Sequence, residues 1–346
     1  MVRALGFGLV LLLATAFSGE QAAAQAPLFS DNSELAITID GPINTIVRSA
    51  MRSTEAHRAT LSVGDQHYNI ELSARGLTRR TGGYCTFPPL RINFENNTLR
   101  GGVFEGQNHL KLVTRCRNGG DDLVVLEYLI YRIYNELTPQ GFLVRPVRVT
   151  YHDSEGNRRE EVQFGFLIED VDDLAHRTHL TALDVQNGAV PSANLNPQAA
   201  VRVALFQYMI SNLDWDMVSG HAGEDCCHNG KLLATNAAAR TDVVPVPYDF
   251  DYSGFVNAPY AVPPAQLTAV HNVVTRYYRG YCRNNDQLPA VIEEFRSHRA
   301  AIAALIAGEE RLPEGRRRTA QNFIDAFYAT LDDPRRVQSQ LVEHCR

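Results

Sequence analysis

Ser211-Asn-Leu-Asp-Trp-Asp216, then His228-Asn229, then Pro247-Tyr-Asp-Phe-Asp-Tyr-Ser-Gly254 are the stretches whose reading decides this chain. Asp214, with Asp216 two residues on, follows an apolar helical pattern, and a loop separates it from the side-chain oxygen of Asn229. A second pair of carboxylates, Asp249 and Asp251, follows an apolar, β-prone run, Val243-Val-Pro-Val246. In an extended segment these two would share one face while Tyr248, Phe250 and Tyr252 pack on the other. Like charges on one face repel unless a cation sits between them. Oxygen ligands of this kind suit Mg²⁺ or Mn²⁺, and phosphoryl transfer needs both such a cation and a carboxylate that orients the attacking hydroxyl. Each Asp alone is also what a turn or a solvated cap carries; their order along the chain is what favours a site.

Outward from these stretches the chain divides in two. Leu35-Ala-Ile-Thr-Ile-Asp40 alternates as a strand, as do Thr60–Val63, Tyr68–Leu72, Leu90–Phe94 and His109–Val113. Leu126, Leu129, Ile130, Ile133 and Leu137 make one helical stripe, which Pro139 and Gly141 end. Two more alternating strands, Val144–Tyr151 and Glu161–Ile168, flank the turn Asp153-Ser-Glu-Gly-Asn157. After Glu169-Asp170 the pattern becomes helical. Asn196-Pro197 reads as a cap and first helical position for a helix to about Asn212, and 290–307 and 319–331 are further amphipathic helices. This predicts a signal peptide at 1–24, a mobile lead-in at 25–34, a strand-rich nucleotide-binding lobe at 35–170 and a helical catalytic lobe at 171–346. The fold class expected is α+β, two-lobed and protein-kinase-like, and no internal repeat or low-complexity tract competes with it.

Arg3 precedes an apolar run from Ala4 to Phe17, and Ala22-Ala-Ala24 offers the small residues of a signal-peptidase site, so an exported protein, periplasmic or secreted, is expected. Nothing later in the sequence is long and apolar enough to span a membrane. Six cysteines remain: Cys85, Cys116, Cys226, Cys227, Cys282 and Cys345. An even count in an exported chain points to disulfides. Zinc competes, but there is no C-x-x-C pair, and the adjacent Cys226 and Cys227 suit two separate bridges better than one tetrahedral site. Cys85 with Cys116 is the preferred pairing, since each borders a β-prone segment of the same half. The net charge of −6 with no basic face disfavours nucleic-acid binding. Only two lysines, Lys111 and Lys231, stand among the 33 basic residues, so each invites a question.

At the level of motifs the chain resembles the CotH kinase-like family of atypical secreted kinases. The resemblance rests on Ser73-Ala-Arg-Gly76, similar to the family's Arg-Gly loop, on Phe164-Gly-Phe-Leu-Ile-Glu-Asp170, similar to its strand and connector, and on the Asn-x-Asp and Asp-Phe-Asp elements. It implies ATP with Mg or Mn as cofactors, a protein hydroxyl as acceptor, Asp214 as the catalytic-loop carboxylate with Asp216 as runner-up, Asn229 and Asp249 as metal holders, and Asp251 close by. Arg75 and Gly76 would lie in the nucleotide loop. A strand lysine held by a helix glutamate is a kinase pairing, and Lys111 with Glu127 fits it; Arg91 is the competing phosphate ligand. His228 reads as structural and Lys231 as a surface residue. Two departures stand out: an insertion, Gly220-His-Ala-Gly-Glu-Asp-Cys-Cys227, before Asn229, and no G-x-G-x-x-G among Gly76, Gly82 and Gly83. A non-catalytic envelope or adhesion protein and a metal-dependent hydrolase therefore remain as alternatives; G-x-S-x-G, H-E-x-x-H and P-loop signatures are absent from the sequence.

Overall fold

The structure, a computed structural model, describes residues 26–95, 99–117, 120–186, 188–221 and 225–346. The signal peptide expected at 1–24 lies outside the described residues. Strand β1 (Leu35–Gly41) buries Ile37 and Ile39 as its alternation predicts. A short helix α1 (Ile43–Ser49) leads to β2 (His57–Val63) and β3 (Gln66–Ala74); α2 (Thr78–Thr81) follows, then β4 (Leu90–Phe94) and β5 (His109–Val113). Each of these strands pairs antiparallel with the one before it. Beyond helix α3 (Asp122–Leu137), strands β6 (Val144–Asp153) and β7 (Glu161–Ile168) form a hairpin, and β7 docks on β5.

Strand β6 then runs parallel to β1 along its whole length, from Leu35 opposite Val147 to Gly41 opposite Asp153. The seven strands close into a barrel in the order β1-β2-β3-β4-β5-β7-β6. This corrects the two-lobed protein-kinase-like α+β fold expected from the sequence, in which the strand-rich half would be an open lobe. The physical reason is that pairing: it satisfies the backbone edge that an open sheet leaves exposed. It also joins residues as remote as Asp40 and His152, 112 positions apart, which no local pattern announces. Ile39, Leu61, Ile70, Leu72, Leu112, Val149 and Leu167 fill the interior. Part of the lead-in expected at 25–34 packs on the barrel. Leu28 and Phe29 are buried in the same cluster, and the Arg145 guanidinium donates to the Asp31 carbonyl (2.6 Å) and carboxylate (3.0 Å).

Strand β7 is buried on both sides. Leu167 faces the barrel interior, while Phe164 and Phe166 pack outward on Tyr128 and Tyr131 of α3, with ring centroids 6.0 and 5.5 Å apart. A Cβ at Gly165 would stand 2.7 Å from the Val113 carbonyl, so the close approach of β5 requires glycine there. Helix α4 (Val171–Arg177) and a small sheet of β8 (Thr181–Ala182), β9 (Gly230–Ala234) and β10 (Val244–Pro247) lead into the helical half. There α5 (Pro197–Met209) starts on the Asn196 side chain, which accepts from Ala199 N–H at 2.9 Å. The single helix expected over 290–307 is two, α6 (Leu288–Ser297) and α7 (Arg299–Ala307), and α8 (Glu314–Leu331) closes the second core around Phe295 and Phe327.

The disulfides are Cys85–Cys116, Cys226–Cys227 and Cys282–Cys345. The expected pairing of Cys85 is present, whereas separate bridges from Cys226 and Cys227 are not. Cys282 is beside Cys345 because the last strand of chain returns to it, Cys282 N–H donating to the Arg346 carbonyl at 3.1 Å and Arg346 N–H to that of Gly280 at 2.8 Å. That leaves the two neighbours to each other.

The buried carboxylate of Asp153 ties the β6–β7 turn to the start of α1, accepting from the N–H groups of Asn44 (3.0 Å), Asn157 (2.8 Å) and Arg158 (3.0 Å). Replacing it leaves those donors without their acceptor, so Asp153→Ala is expected to cost about 3 kcal/mol. Urea unfolding should show a lower midpoint with an unchanged slope, and a midpoint equal to wild type would refute this role.

Candidate active site

Helix α5 ends where Ser211 takes a left-handed conformation (φ 52°), and the chain then places Leu213 and Trp215 inward. Asp214, between them, turns out into a cavity of about 330 Å³. The loop is tightly held. Asp214 N–H donates to the Asn212 side chain (3.1 Å), Trp215 Nε1 donates to the Asn212 carbonyl (2.9 Å), and the Arg279 guanidinium bonds the carbonyls of Leu213 and Trp215, both at 2.8 Å. The carboxylate is fixed as well: His228 Nε2 lies 2.7 Å from one oxygen, and Asn229 Nδ2 donates to the other at 3.0 Å and to the Asp214 carbonyl at 2.7 Å. His228 is thus structural in the sense expected, yet it touches the candidate catalytic group.

Asp216 points elsewhere. It accepts from Val218 N–H (2.8 Å) and Ser219 N–H (3.2 Å) and binds the Arg346 guanidinium (3.0 Å), outside the Asp214 cavity. Simple alternation would send both carboxylates to the side opposite Trp215, but the chain bends at Asp214 and again at Met217, and the two part.

The ladder of β9 and β10 brings the other oxygen donors alongside. Pro247 lies opposite Gly230, and Tyr248 N–H donates to the Asn229 carbonyl at 3.1 Å, so Asn229 and Asp249 emerge side by side where the ladder ends. Both are left-handed, with φ of 48° and 64°. Asn and Asp tolerate that region better than other side chains, and such conformations cluster at functional sites. Asp249 N–H donates to the Tyr131 hydroxyl (2.9 Å) of α3. Phe250 is completely buried, against Tyr131 (4.8 Å) and Phe206 (5.7 Å). The extended segment expected here is absent, since β10 stops at Pro247 and a turn follows. Both carboxylates still line the cavity, but Tyr248 and Tyr252 line it with them, and only Phe250 packs away.

Asp251 is 6 % exposed and accepts from the Tyr260 hydroxyl at 2.9 Å. Burial, and then the charge of Asp249, push its carboxyl up to about 7 against the opposing Arg79 guanidinium. Glu127 of α3, 3 % exposed, is held well above the usual carboxylate range by burial and then by Asp251 and Asp249. Its opposing cation is Arg79, not Lys111. Among the described residues Lys111 and Glu127 form no ion pair, which corrects the expected kinase pairing; Lys111 Nζ instead lies over the Tyr248 ring, 5.0 Å from its centroid. Arg91 is opposite Lys111 in register, but its side chain is exposed and bonded to Asn93 (3.0 Å), outside the cavity. Arg75 and Gly76, the latter at φ 76°, do line it.

Three participants escaped the sequence reading. Lys231, read as a surface residue, lines the cavity with its Nζ 5.9 Å from the Tyr248 centroid; the scarcity of lysine was its signal. Tyr131 stands one helical turn from Glu127, a spacing that puts both on one face. Arg79 carries no signal, since arginine is this chain's ordinary cation.

Among the described residues no three His, Cys, Asp or Glu side chains form a ready metal cluster. The donor set still fits Mg²⁺ or Mn²⁺, which bind through one or two carboxylates plus phosphate and water rather than a full protein cage. Asp249, Asp251 and the amide oxygen of Asn229 are all oxygen donors, and the repulsion that raises Asp251 is what a divalent cation relieves.

No protein-family model matches the chain, and no curated protein matches it. Among solved structures, the Helicobacter pylori proinflammatory kinase CtkA aligns with a TM-score of 0.36 at 10 % identity, covering 84 % of this chain and 95 % of that one. The resemblance to the CotH kinase-like family drawn from motifs is therefore met by a distant likeness to one kinase and by no family match, and that likeness carries no assignment. Three disulfides, with no helix among the described residues long and apolar enough to cross a membrane, are compatible with export.

The raised Asp251 carboxyl gives a pH prediction for the metal-free protein. With its folded value near 7 and its unfolded value at 3.8, the folded state holds a proton that the unfolded chain releases between those values. Stability is therefore lost as pH rises from about 4 to 7 and levels off above. Asp251→Asn removes this loss, so its melting temperature should gain on wild type between pH 4.5 and 8 in EDTA. A difference that stays constant across that range would show that Asp251 titrates normally.

Proposed function

We propose that this protein transfers a phosphoryl group from a nucleotide, ATP in the first instance, to a hydroxyl of a protein acceptor. The observation that carries the reading is the composition of one cavity: the fixed carboxylate of Asp214 beside the oxygen donors Asn229, Asp249 and Asp251, with cationic side chains at its wall. In this reading Asp214 accepts the acceptor's proton or orients its hydroxyl, and its two hydrogen-bonded oxygens keep it aimed. Asp249, Asp251 and Asn229 would hold Mg²⁺ or Mn²⁺, which when bound offsets negative charge on the phosphates. Leu77, Pro89, Val113 and Ile168 supply an apolar wall on which a nucleobase can rest.

One observation favours a second reading. The Asp214–His228 hydrogen bond is an arrangement that can also activate water, which would make the protein a metal-dependent hydrolase. The non-catalytic envelope role would leave the raised carboxyls and the cationic wall without a use.

The variants separate these readings. Asp249→Asn keeps a residue that tolerates the left-handed backbone but loses the charge, and should abolish Mn²⁺-dependent nucleotide binding. Asp214→Ala should leave binding nearly intact and lower phosphate transfer by about 10²- to 10⁴-fold. In thermal-shift titrations with Mn²⁺, a nucleotide at 100 times its Kd should stabilise wild type by about 2.7 kcal/mol. Label from ATP appearing on protein supports transfer; nucleotide consumed with no labelled acceptor supports the hydrolase; neither binding nor turnover sinks both.

A further inference from the structure

Arg79, Glu127 and Asp251 line the candidate active site and also a second cavity, of about 290 Å³, at the start of α3 and the loop after β5. The phosphoryl-transfer reading makes no use of it. Its sides are apolar, from Leu123, Val124, Val256 and Pro259, and two rings that line it, Tyr84 and Tyr260, meet edge-on with centroids 5.2 Å apart. Its cations differ in what answers them. Arg115 is bound by Asp121 and Glu161, Arg316 by Asp122, and Arg79 faces Asp251 and Glu127. Among the described residues Arg117 has no carboxylate. Its Nε donates to the Tyr84 carbonyl, and its guanidinium lies over the Tyr84 ring, 3.9 Å from the centroid. A disulfide fixes this pair, because Cys85–Cys116 joins the residue after Tyr84 to the residue before Arg117. The Cys116 carbonyl adds to the hold, accepting from the N–H groups of Thr86 (2.8 Å) and Phe87 (3.2 Å). Arg79 Nε is buried and, among the described residues, bonded to nothing.

We infer that this second cavity binds a small aromatic carboxylic acid, with its ring against Tyr84, Tyr260 and the apolar sides and its carboxylate outward on Arg117 and Arg316. Charge sets the orientation. Glu127 and Asp251 repel an anion that enters whole, so the negative group stays with Arg117 and Arg316, which are exposed. A neutral ring would cover the apolar sides and leave Arg117 unanswered. A carboxylate answers it without disturbing its contact with Tyr84, since a guanidinium donates in its own plane and stacks through its face. The volume is at the lower end for small-molecule pockets, which suits one ring system with one acidic group. The inference is independent of phosphoryl transfer.

Benzoate titrated calorimetrically into the disulfide-intact protein in EDTA should bind wild type at one site. Benzyl alcohol and acetate, which carry the ring and the anion separately, should each bind at least about tenfold more weakly. Arg117→Gln, a change at an exposed residue, should weaken benzoate by about tenfold. Tyr84→Ala should weaken it as well, whereas Tyr84→Phe keeps the ring and should bind like wild type. Lys231→Gln, which alters the first cavity alone, should change nothing. Wild type that ignores benzoate, acetate bound as tightly as benzoate, or Arg117→Gln and Tyr84→Ala both binding like wild type would each overturn the site. Benzoate weakened by Lys231→Gln and not by Arg117→Gln would place the acid in the first cavity and overturn it too. Benzoate binding that follows Arg117 and Tyr84 while no nucleotide is turned over with Mn²⁺ would sink phosphoryl transfer alone; turnover by a protein that ignores benzoate would sink this site alone.

Discussion

Phe250 has no exposed surface, and its ring is packed against Tyr131 of α3 and Phe206 of α5. The residues on either side cannot follow it inward. Asp249 is turned by a left-handed backbone and a hydrogen bond to Tyr131, and Asp251 is caught by Tyr260. One aromatic anchor therefore fixes Asp249 close enough to add to the burial that raises the proton affinity of Asp251, and α3 adds a third carboxylate, Glu127, one turn from Tyr131. Removing a ring of that size from such a setting costs on the order of 3–5 kcal/mol, so the carboxylates stay where repulsion alone would not leave them.

The opposing cations are under the same kind of constraint. Arg75, Arg79 and Lys231 share the cavity with Asp214, Asp249 and Asp251, yet among the described residues they do not close into ion pairs with them. Opposite charges able to reach each other would do so, and the strands and the anchored 249–251 turn hold them apart. Both walls are left electrostatically unsatisfied in complementary senses. A ligand that presents anionic oxygens to one wall and a divalent cation to the other relieves both at once. Stability given up in the empty site in this way is the usual cost of a preorganised binding site.

Much of this was legible from local pattern, and the failures share a cause. Period-two alternation marked every barrel strand, and the stripe from Leu126 to Leu137 marked α3, because burial on one face is written locally. Closure of the barrel was not written there, since seven other elements, from α1 to α3, separate β1 from β6 along the chain. The order Asp214, Asn229, Asp249, Asp251 was readable as donor chemistry, and the structure gathers all four about one cavity. The partners were misassigned where distance in sequence was used for distance in space. Glu127 faces Arg79 rather than Lys111, Arg91 leaves the cavity on the exposed face of β4, and Asp216 serves Arg346. Lys231 was read as a surface residue, although it lines the cavity with its Nζ over Tyr248 of another segment.

The disulfides follow the site rather than the cores. Both hydrophobic clusters are large, and strand β7 already joins them, with Phe164 and Phe166 in one and Leu167 in the other. The loops that carry the cavity are held to these cores at single points, such as Trp215 and Phe250. Cys85–Cys116 links the loop bearing Arg75 and Arg79 to the chain just beyond β5 and Lys111; Cys282–Cys345 brings Arg346 to Asp216, on the loop of Asp214; Cys226–Cys227 immediately precedes His228 and Asn229. In the chain-entropy account, closures of 31 and 63 residues are each worth on the order of 4 kcal/mol. A site built from mutually repelling carboxylates and unpaired cations needs its loops held by something other than the attractions within the site, and here covalent ties and buried aromatic rings provide the hold.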